Sequence, residues 1–463
     1  MQQKKKGGFT SSLGFILSAA GSAVGLGNLW RFPYLAASGG GGLFLLIYLI
    51  LAITFGYTLL STELAIGRRT GKSSLSAYGD VNPKWKFLGA LSFIVPAIIL
   101  TYYCVIGGWI LKYITVYPLG EAKVAADPSY FGGFITSNFA PIAFTLVYLA
   151  VTAFIVYNGV EKGVERFSKI VMPGLIVIII GIAIFSLTLE HEGRTGIDGL
   201  KKYIIPNFDG LTFGKFMTIL LNATGQLFYS LSIAMGIMVT YGSYVKKEEN
   251  LSKSVSRIEL FDTGVAFLAG LMIIPAVYVF LGNEGLEKSG PGLIFQALPQ
   301  IFNQMGSMGN VLAIIFFVMV AFAALTSSVS IMETIVASLV EKTKKSRKFI
   351  SVCVALFGLI GAIVVCLGYT AWYFEFKLPN AANPGQILDI ADYISNYLLM
   401  PIVALCTSIV VGWVVKPKWV IEEMESSGHK FSRKWLYVIM IKVIIPIIMI
   451  ALLLQAFGVF ETM

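Results

Sequence analysis

The sequence predicts an all-α polytopic membrane protein with about 11 transmembrane helices, and two observations support this fold class. Among 463 residues, 56% are hydrophobic and only 13% are charged, whereas soluble domains carry about 25% charged residues. Apolar runs of about 20 residues, the length that crosses the hydrocarbon core of a bilayer, recur from one end of the chain to the other. We therefore expect a protein that lies almost wholly within the membrane.

The apolar runs define the expected spans. In chain order they lie near residues 12–37, 42–67, 87–116, 141–158, 167–189, 214–242, 259–282, 309–340, 349–369, 386–415 and 435–460. The first run follows a basic N-terminus and continues into a glycine cluster instead of ending at a cleavage site. It therefore predicts a retained span and not a signal peptide.

Lysine and arginine residues predict the orientation of the spans. Most of the 35 fall in loops that share one side of the membrane when the N-terminus is placed inside, and positive loops are typically cytoplasmic. We expect a protein of the cell membrane with a cytoplasmic N-terminus and an external C-terminus. The net charge of +10 is then mainly a topology signal, which favours contact with anionic lipid of the bilayer and not nucleic-acid binding.

Small and polar residues interrupt two of the spans. The first span carries Gly21, Gly25 and Gly27, although each glycine weakens a helix by roughly 1 kcal/mol relative to alanine. The sixth carries Ser230 and Ser232 at its middle. Broken spans at matching positions of two halves predict an inverted-repeat transporter with its binding site at the membrane midplane. Close helix packing through small residues is the alternative interpretation.

This pairing predicts the internal organisation of the chain. We expect one transmembrane transporter domain over residues 1–463, with a 5+5 inverted repeat whose helices 1 and 6 are broken. The first repeat is expected near residues 12–189 and the second near 214–415, followed by an extra helix near 435–460.

A broken helix also offers binding chemistry at the membrane midplane. The N–H groups that begin one half-helix carry partial positive charge and suit a carboxylate. The C=O groups that end the other half suit Na⁺, a hard cation that takes oxygen ligands.

Several sequence stretches resemble the neurotransmitter:sodium symporter family. They are GSAVGLGNLWRFPY (21–34), STELAIGR (61–68), ATGQLFYSLS (223–232) and FAALTSSVSIMETIVASLVE (322–341). The similarity extends over nearly the whole chain, and within the family it is greatest to bacterial transporters of leucine and of several hydrophobic amino acids. The resemblance implies Na⁺-coupled symport of small amino acids by alternating access.

The same resemblance implies a substrate site. The amides near Leu26 and Gly27 and the Tyr103 hydroxyl would hold the substrate carboxylate, and Gly25 stands where monoamine-transporting members have an aspartate. The ammonium group would contact the carbonyls of Ala23, Tyr229 and Ser230 and the Ser232 side chain. The pocket would be lined by Ile99, Tyr103, Tyr229, Ala234, Met235, Ser327 and Ile331. Such a pocket would select hydrophobic L-amino acids, branched or aromatic.

Two Na⁺ sites are implied in the same way. The first would use the Ala23 carbonyl, Asn28, Ser230, Asp262 and the substrate carboxylate. The second would use the carbonyls of Gly21, Val24 and Ala323 with the hydroxyls of Thr326 and Ser327.

Asp262 departs from the common family pattern, which has asparagine there. Chloride-dependent relatives bind an anion near the positions of Tyr48, Gln226 and Ser230, so a carboxylate at Asp262 is expected to replace chloride. An aspartate near the inner surface is the alternative interpretation.

Further intramembrane charges and a glycine–proline pair suggest moving parts. Arg31 and Asp392 are expected to pair and to close the outer path together with Tyr103 and Tyr229, with a purely structural ion pair as the alternative. Lys6 and Glu341, with Tyr244 nearby, resemble an inner gate. Glu63 resembles a family glutamate that supports the unwound first span.

Gly163 and Pro173 match the family's glycine-x9-proline pattern. This pair predicts local unwinding of the fifth span, with an ordinary kink as the alternative.

Other function classes fit the sequence less well. It contains no P-loop for an ATP-driven pump. It has two histidines, both in loops, and four cysteines without a CxxC pair, which argues against a metalloenzyme. We expect no enzymatic activity and no organic cofactor. The alternative function is a non-transporting membrane receptor or scaffold of the same fold.

Overall fold

The protein is described by a computed structural model over residues 8–286, 290–379 and 384–459. Within these ranges almost every regular element is a helix. The two strands, Glu190–His191 and Arg194–Thr195, form a short antiparallel hairpin.

Nine helices of the described residues are long and apolar enough to cross a membrane. They are Gly42–Thr70, Pro83–Val116, Ala140–Tyr157, Val160–Leu187, Leu251–Leu286, Gly306–Thr343, Arg347–Leu367, Ile387–Val414 and Lys434–Ala456. They correspond to the predicted second to fifth and seventh to eleventh spans. The fifth begins at Val160, earlier than the predicted residue 167.

The first span is broken where the glycine cluster predicted it. Its two halves, Ser12–Ala23 and Gly27–Ser38, meet at an angle of 53°. Val24 leaves the helical conformation with an extended backbone. The second half opens with a π-helical turn, Gly27–Arg31, and continues as the α-helix Phe32–Ser38.

The sixth span is also split. It consists of Phe213–Ser230 and Ile237–Gly242. Between them Ser232, Ala234 and Gly236 have positive φ angles of 53°, 62° and 71°, a conformation that the right-handed helix does not permit. The polar, glycine-containing middle of this span therefore forms a true interruption.

Short helices fill the connections between the spans. They are Ser74–Val81, Ala122–Ala125, Pro128–Ile135, Gly196–Ile204, Gly290–Gly292, Leu293–Ala297, Leu298–Gln304 and Lys418–Glu425. The helices within residues 290–304 pack against neighbouring elements, and the ring of Phe295 stacks on that of Phe131 with 5.0 Å between the centroids.

The broken spans lie at the centre of the molecule. Ser12–Ala23 packs against the seventh and eighth spans, and Ile237–Gly242 packs against the second. That second contact needs glycine on both sides, because a Cβ on Gly67 would collide with the Val239 carbonyl and one on Gly242 with the Leu64 carbonyl. The packing therefore holds both breaks at the middle of the bundle.

Candidate functional site

A cavity of about 20 Å³ lies where the two breaks meet. Its lining comes from the first, third, sixth and eighth spans. The lining residues are Ser22, Ala23, Gly25, Leu26, Gly27, Asn28, Ile99, Tyr103, Tyr229, Ser230, Ser232, Met235, Ser327 and Ile331. Every residue predicted for the substrate site is present except Ala234. The two breaks are joined directly, since Ser232 Oγ donates to the Ser22 carbonyl at 2.9 Å.

The predictions for Ala234 and Glu63 need correction. Ala234 does not line the cavity; its backbone N–H donates to Glu63 Oε1 at 2.6 Å. The positive φ of Ala234 turns this amide toward the second span, which carries Glu63. Glu63 therefore supports the break of the sixth span, whereas the sequence suggested the break of the first.

One end of the cavity is suited to a carboxylate. Tyr103 is buried, and its hydroxyl has no hydrogen-bond partner among the described residues. A Cβ on Gly25 would lie 3.3 Å from Tyr103 Oη and 2.7 Å from Ser327 Oγ, so glycine keeps this space open. Leu26 and Gly27 follow the break, where the first N–H groups of a helix lack acceptors within their own helix.

Asp262 lies at the centre of a polar cluster beside the cavity. It is fully buried, so the structure contradicts the alternative of an aspartate near the inner surface. Its Oδ1 accepts from Asn28 Nδ2 at 2.9 Å and from Ser230 Oγ at 2.6 Å, and its Oδ2 accepts from Tyr48 Oη at 3.4 Å. Gln226 Nε2 donates to the Gly27 carbonyl at 3.1 Å. The residues predicted for the first Na⁺ site and for the anion position are thus in one place.

The residues predicted for a second Na⁺ site bring the first and eighth spans together. Ser327 Oγ donates to the Ser22 carbonyl at 3.2 Å, and Thr326 Oγ1 donates to the Ala323 carbonyl at 2.9 Å. A Cβ on Gly21 would lie 3.3 Å from Thr326 Cβ. Val24 occupies the extended end of the same half-helix. The first and eighth spans therefore lie side by side at Gly21, Thr326 and Ser327.

The predicted outer gate is not formed as a direct ion pair. Asp392 accepts instead from Tyr102 Oη at 3.1 Å and from Asn396 Nδ2 at 2.5 Å. The guanidinium of Arg31 lies over the ring of Tyr397, 5.8 Å from its centroid. Arg31 and Asp392 thus have separate neighbours and form no ion pair with each other in this conformation.

The predicted inner gate is only partly within the described residues. Lys6 lies outside them. Glu341 Oε2 accepts from the backbone N–H of Ser73 at 2.9 Å. Tyr244, expected beside Glu341, donates to Glu333 Oε1 at 2.7 Å.

The expected unwinding of the fifth span is absent from the structure as described. Gly163 lies in the π-helical turn Val160–Glu165, and Pro173 lies inside the helix Arg166–Leu187. A Cβ on Gly163 would collide with the Ile155 carbonyl. Close approach to the fourth span therefore explains this glycine, and unwinding stays a prediction for another conformation.

Sequence reasoning missed several buried acidic residues, among them Glu333 and Glu165. Glu333 forms an ion pair with Arg347, whose guanidinium also donates to the Val156 carbonyl at 2.9 Å. Glu165 accepts from residues at the start of the first span. A carboxylate inside an apolar run is the signal that identifies Glu333, because burying it unpaired is costly, whereas Glu165 lies in a charged connection of the sequence and gives no such signal.

The Glu165 contacts fix the beginning of the first span to the fifth. Its carboxylate accepts from the Thr10 N–H at 2.8 Å, Thr10 Oγ1 at 2.6 Å, Ser11 Oγ at 3.1 Å and Lys169 Nζ at 2.6 Å. A side chain at Gly14 would collide with the same carboxylate.

Comparisons with known proteins agree with this architecture. The model of the sodium:neurotransmitter symporter family matches residues 6–118 and 137–463. YhdH of Bacillus subtilis, an uncharacterized sodium-dependent transporter, is 35% identical over 468 residues, which cover 99% of each chain. The sodium- and chloride-dependent GABA transporter 2 of Bos taurus is 24% identical, over 93% of this chain and 82% of the relative.

A solved structure extends the agreement to the fold. The crystal structure of MhsT in complex with L-phenylalanine matches with a TM-score of 0.85 and 34% sequence identity. The match covers 98% of this chain and 100% of that one. The chain therefore belongs to the sodium:neurotransmitter symporter family and is a sodium-coupled, multi-pass membrane transporter, not an enzyme.

Proposed function

We propose that this transporter imports hydrophobic L-amino acids, branched or aromatic, together with Na⁺ by alternating access. The amino acid enters the cell across the cell membrane, with the N-terminus cytoplasmic and the C-terminus outside. Two five-span repeats, residues 12–189 and 214–415, move relative to each other around the central cavity. The observation that carries the proposal is the buried Tyr103 hydroxyl, which has no partner among the described residues and faces the break of the first span.

A substrate carboxylate satisfies this arrangement. Leaving a buried hydroxyl without an acceptor costs about 1–3 kcal/mol, and a carboxylate beside Gly25 accepts from it and from the amides that begin the half-helix. Because no acidic side chain occupies position 25, the substrate brings the negative charge itself. An amine without a carboxylate leaves the same groups unsatisfied.

The rest of the cavity suits an apolar side chain. Ile99, Met235 and Ile331 form its apolar wall. The related MhsT structure contains L-phenylalanine, which supports an aromatic substrate for this chain. Met235 is the adaptable part of the wall, since its unbranched side chain has several accessible shapes.

The cavity volume supports a mechanism with more than one conformation. A volume of about 20 Å³ holds one water molecule, so an aromatic amino acid enters only after side chains such as Met235 and Tyr229 move. Loading and release therefore require the cavity to expand, first toward one side of the membrane and then toward the other.

Two Na⁺ ions accompany the substrate in this proposal. The first is held by the Ala23 carbonyl, Asn28, Ser230, Asp262 and the substrate carboxylate, so that amino acid and Na⁺ bind cooperatively. The second is held between the first and eighth spans at Thr326. The charge of Asp262 makes a diffusible anion unnecessary, and transport is independent of chloride.

Uptake by purified protein in liposomes tests the proposal. Radiolabelled leucine and phenylalanine accumulate when an inward Na⁺ gradient is imposed, and they do not accumulate with equal Na⁺ on both sides. Full accumulation driven by a proton gradient in the absence of Na⁺ contradicts the proposal.

Competition for binding tests the substrate class. All twenty amino acids, dopamine and serotonin are compared as competitors of labelled leucine. Branched and aromatic L-amino acids compete, whereas the two amines, which have no carboxylate, do not. Equal competition by the amines refutes the role assigned to Gly25 and Tyr103.

A further inference from the structure

A second and much larger cavity lies on the outer surface of the bundle, away from the central site. It is a groove of about 390 Å³ between the fourth span, Ala140–Tyr157, and the ninth span, Arg347–Leu367. Its rims carry exposed apolar side chains, among them Phe154 (69% exposed) and Leu356 (55%). Since both helices cross the membrane, the groove opens sideways into the lipid.

The length of the groove matches one leaflet of the bilayer. Its lining extends from Leu146 to Tyr157 along the fourth span, which is roughly 16 Å at about 1.5 Å per residue. Half of the hydrocarbon core is about 15 Å. Small residues, Ala153 and Ala355, form part of the lining between the larger rims. A volume of about 390 Å³ spread over this length leaves room for a flexible chain but not for another helix, about 10 Å wide.

One end of the groove carries groups that suit a phospholipid headgroup. Lys348 Nζ lies 5.3 Å from the ring centroid of Tyr157, the last lining residue of the fourth span. Lys348 forms no ion pair with a carboxylate of the described residues, while the neighbouring Arg347 is engaged by Glu333. The ammonium group of Lys348 is therefore available to a negative group at the membrane surface.

A buried hydroxyl lies one helical turn deeper. Ser351 lines the groove and is 1% exposed, and its Oγ has no hydrogen-bond partner among the described residues. Residues three apart share one face of a helix, so Lys348 and Ser351 follow each other along the groove. From the membrane surface inward, a phospholipid presents first its phosphate and then its glycerol esters. The Lys348 ammonium and the Ser351 hydroxyl follow in the same order and suit these two groups.

We propose that this groove binds one phospholipid with an anionic headgroup. Its acyl chain lies along Ala153 and Ala355, an ester carbonyl accepts from Ser351 Oγ, and its phosphate pairs with Lys348. This site is independent of the amino-acid and Na⁺ chemistry proposed above.

Native mass spectrometry of the full-length, delipidated protein tests the site. The protein is titrated with phosphatidylglycerol and with phosphatidylcholine carrying the same acyl chains. Wild type retains one phosphatidylglycerol in preference to phosphatidylcholine. Lys348→Gln lowers that preference about fivefold, the effect of one lysine beside anionic lipid, whereas Lys430→Gln, an exposed lysine outside the groove, leaves it unchanged.

Variants that fill the groove distinguish a lipid bound in the groove from lipid that adheres to the apolar surface in general. Ala153→Phe and, independently, Ala355→Phe remove the retained lipid, while Val147→Phe, on the exposed face of the same helix, retains it. A cooperative thermal unfolding transition verifies that each variant is folded.

The proposal is overturned if Val147→Phe and Ala153→Phe lose the retained lipid to the same extent. It is also overturned if free glycerol phosphate fully displaces the lipid, or if the chain forms a dimer that Ala153→Phe dissociates.

Discussion

Replacing Asp262 by asparagine removes the one carboxylate of the polar cluster beside the cavity. In the structure this group accepts hydrogen bonds from Asn28, Ser230 and Tyr48. A charge about 4 Å from a bound Na⁺ contributes about 4 kcal/mol at an effective dielectric constant near 20. That energy corresponds to about a thousandfold in Na⁺ affinity, so Asp262→Asn is expected to lose Na⁺-driven uptake when no replacement anion is present.

The assay compares uptake of labelled leucine into liposomes with chloride and with gluconate as the only anion. Wild-type uptake is expected to be the same in both. The variant is expected to be inactive in gluconate and to recover in part as chloride is raised, because chloride supplies the missing charge. Asp198→Asn, in the short helix Gly196–Ile204 where the partly exposed carboxylate pairs with Lys201, serves as the control for charge removal. Wild-type uptake that collapses in gluconate refutes the reasoning.

Three further changes probe other parts of the structure. Tyr103→Phe removes the unpartnered hydroxyl, so amino-acid affinity should fall about tenfold in a binding assay while the melting temperature without substrate does not fall. Gly25→Ala places a methyl group against Ser327 Oγ, and we expect folded protein that binds no amino acid; retained binding disproves the position assigned to the carboxylate. Glu333→Gln leaves Arg347 without its buried partner and should destabilise the protein by about 3 kcal/mol in thermal melting, with recovery when Arg347 is also changed to methionine.

The breaks in the first and sixth spans were predictable because their cause is local. Gly25, Gly27 and Ser232 disfavour a continuous helix wherever the rest of the chain lies, and a hydrophobic run is recognised without knowledge of its neighbours. The breaks are therefore consequences of residue type and position along the chain. The cavity lining was predictable on a different ground, because Ile99, Tyr103 and Ser327 lie on other spans and were implied by the family resemblance.

Contacts between distant elements were less accessible to sequence reasoning. The direction of the Ala234 amide depends on a positive φ inside the sixth break, and the partner of Glu63 follows from that direction. The separation of Arg31 from Asp392 depends on conformation, which one sequence does not specify. Glu333 was passed over because its partner, Arg347, begins a different span, and only packing brings the two together.

The carboxylate of Glu165 gives the first span a measurable resistance to movement. Three of its hydrogen bonds reach Thr10 and Ser11, and each bond to a charged group contributes about 1.5–3 kcal/mol. A step that draws the start of the first span away from the fifth has to break them together, so Glu165→Gln should lower the barrier to that step. Hydrogen–deuterium exchange at the Thr10 amide then reports how often the first span separates from the fifth. Exchange at this one amide therefore measures a step of the transport cycle without a labelled substrate.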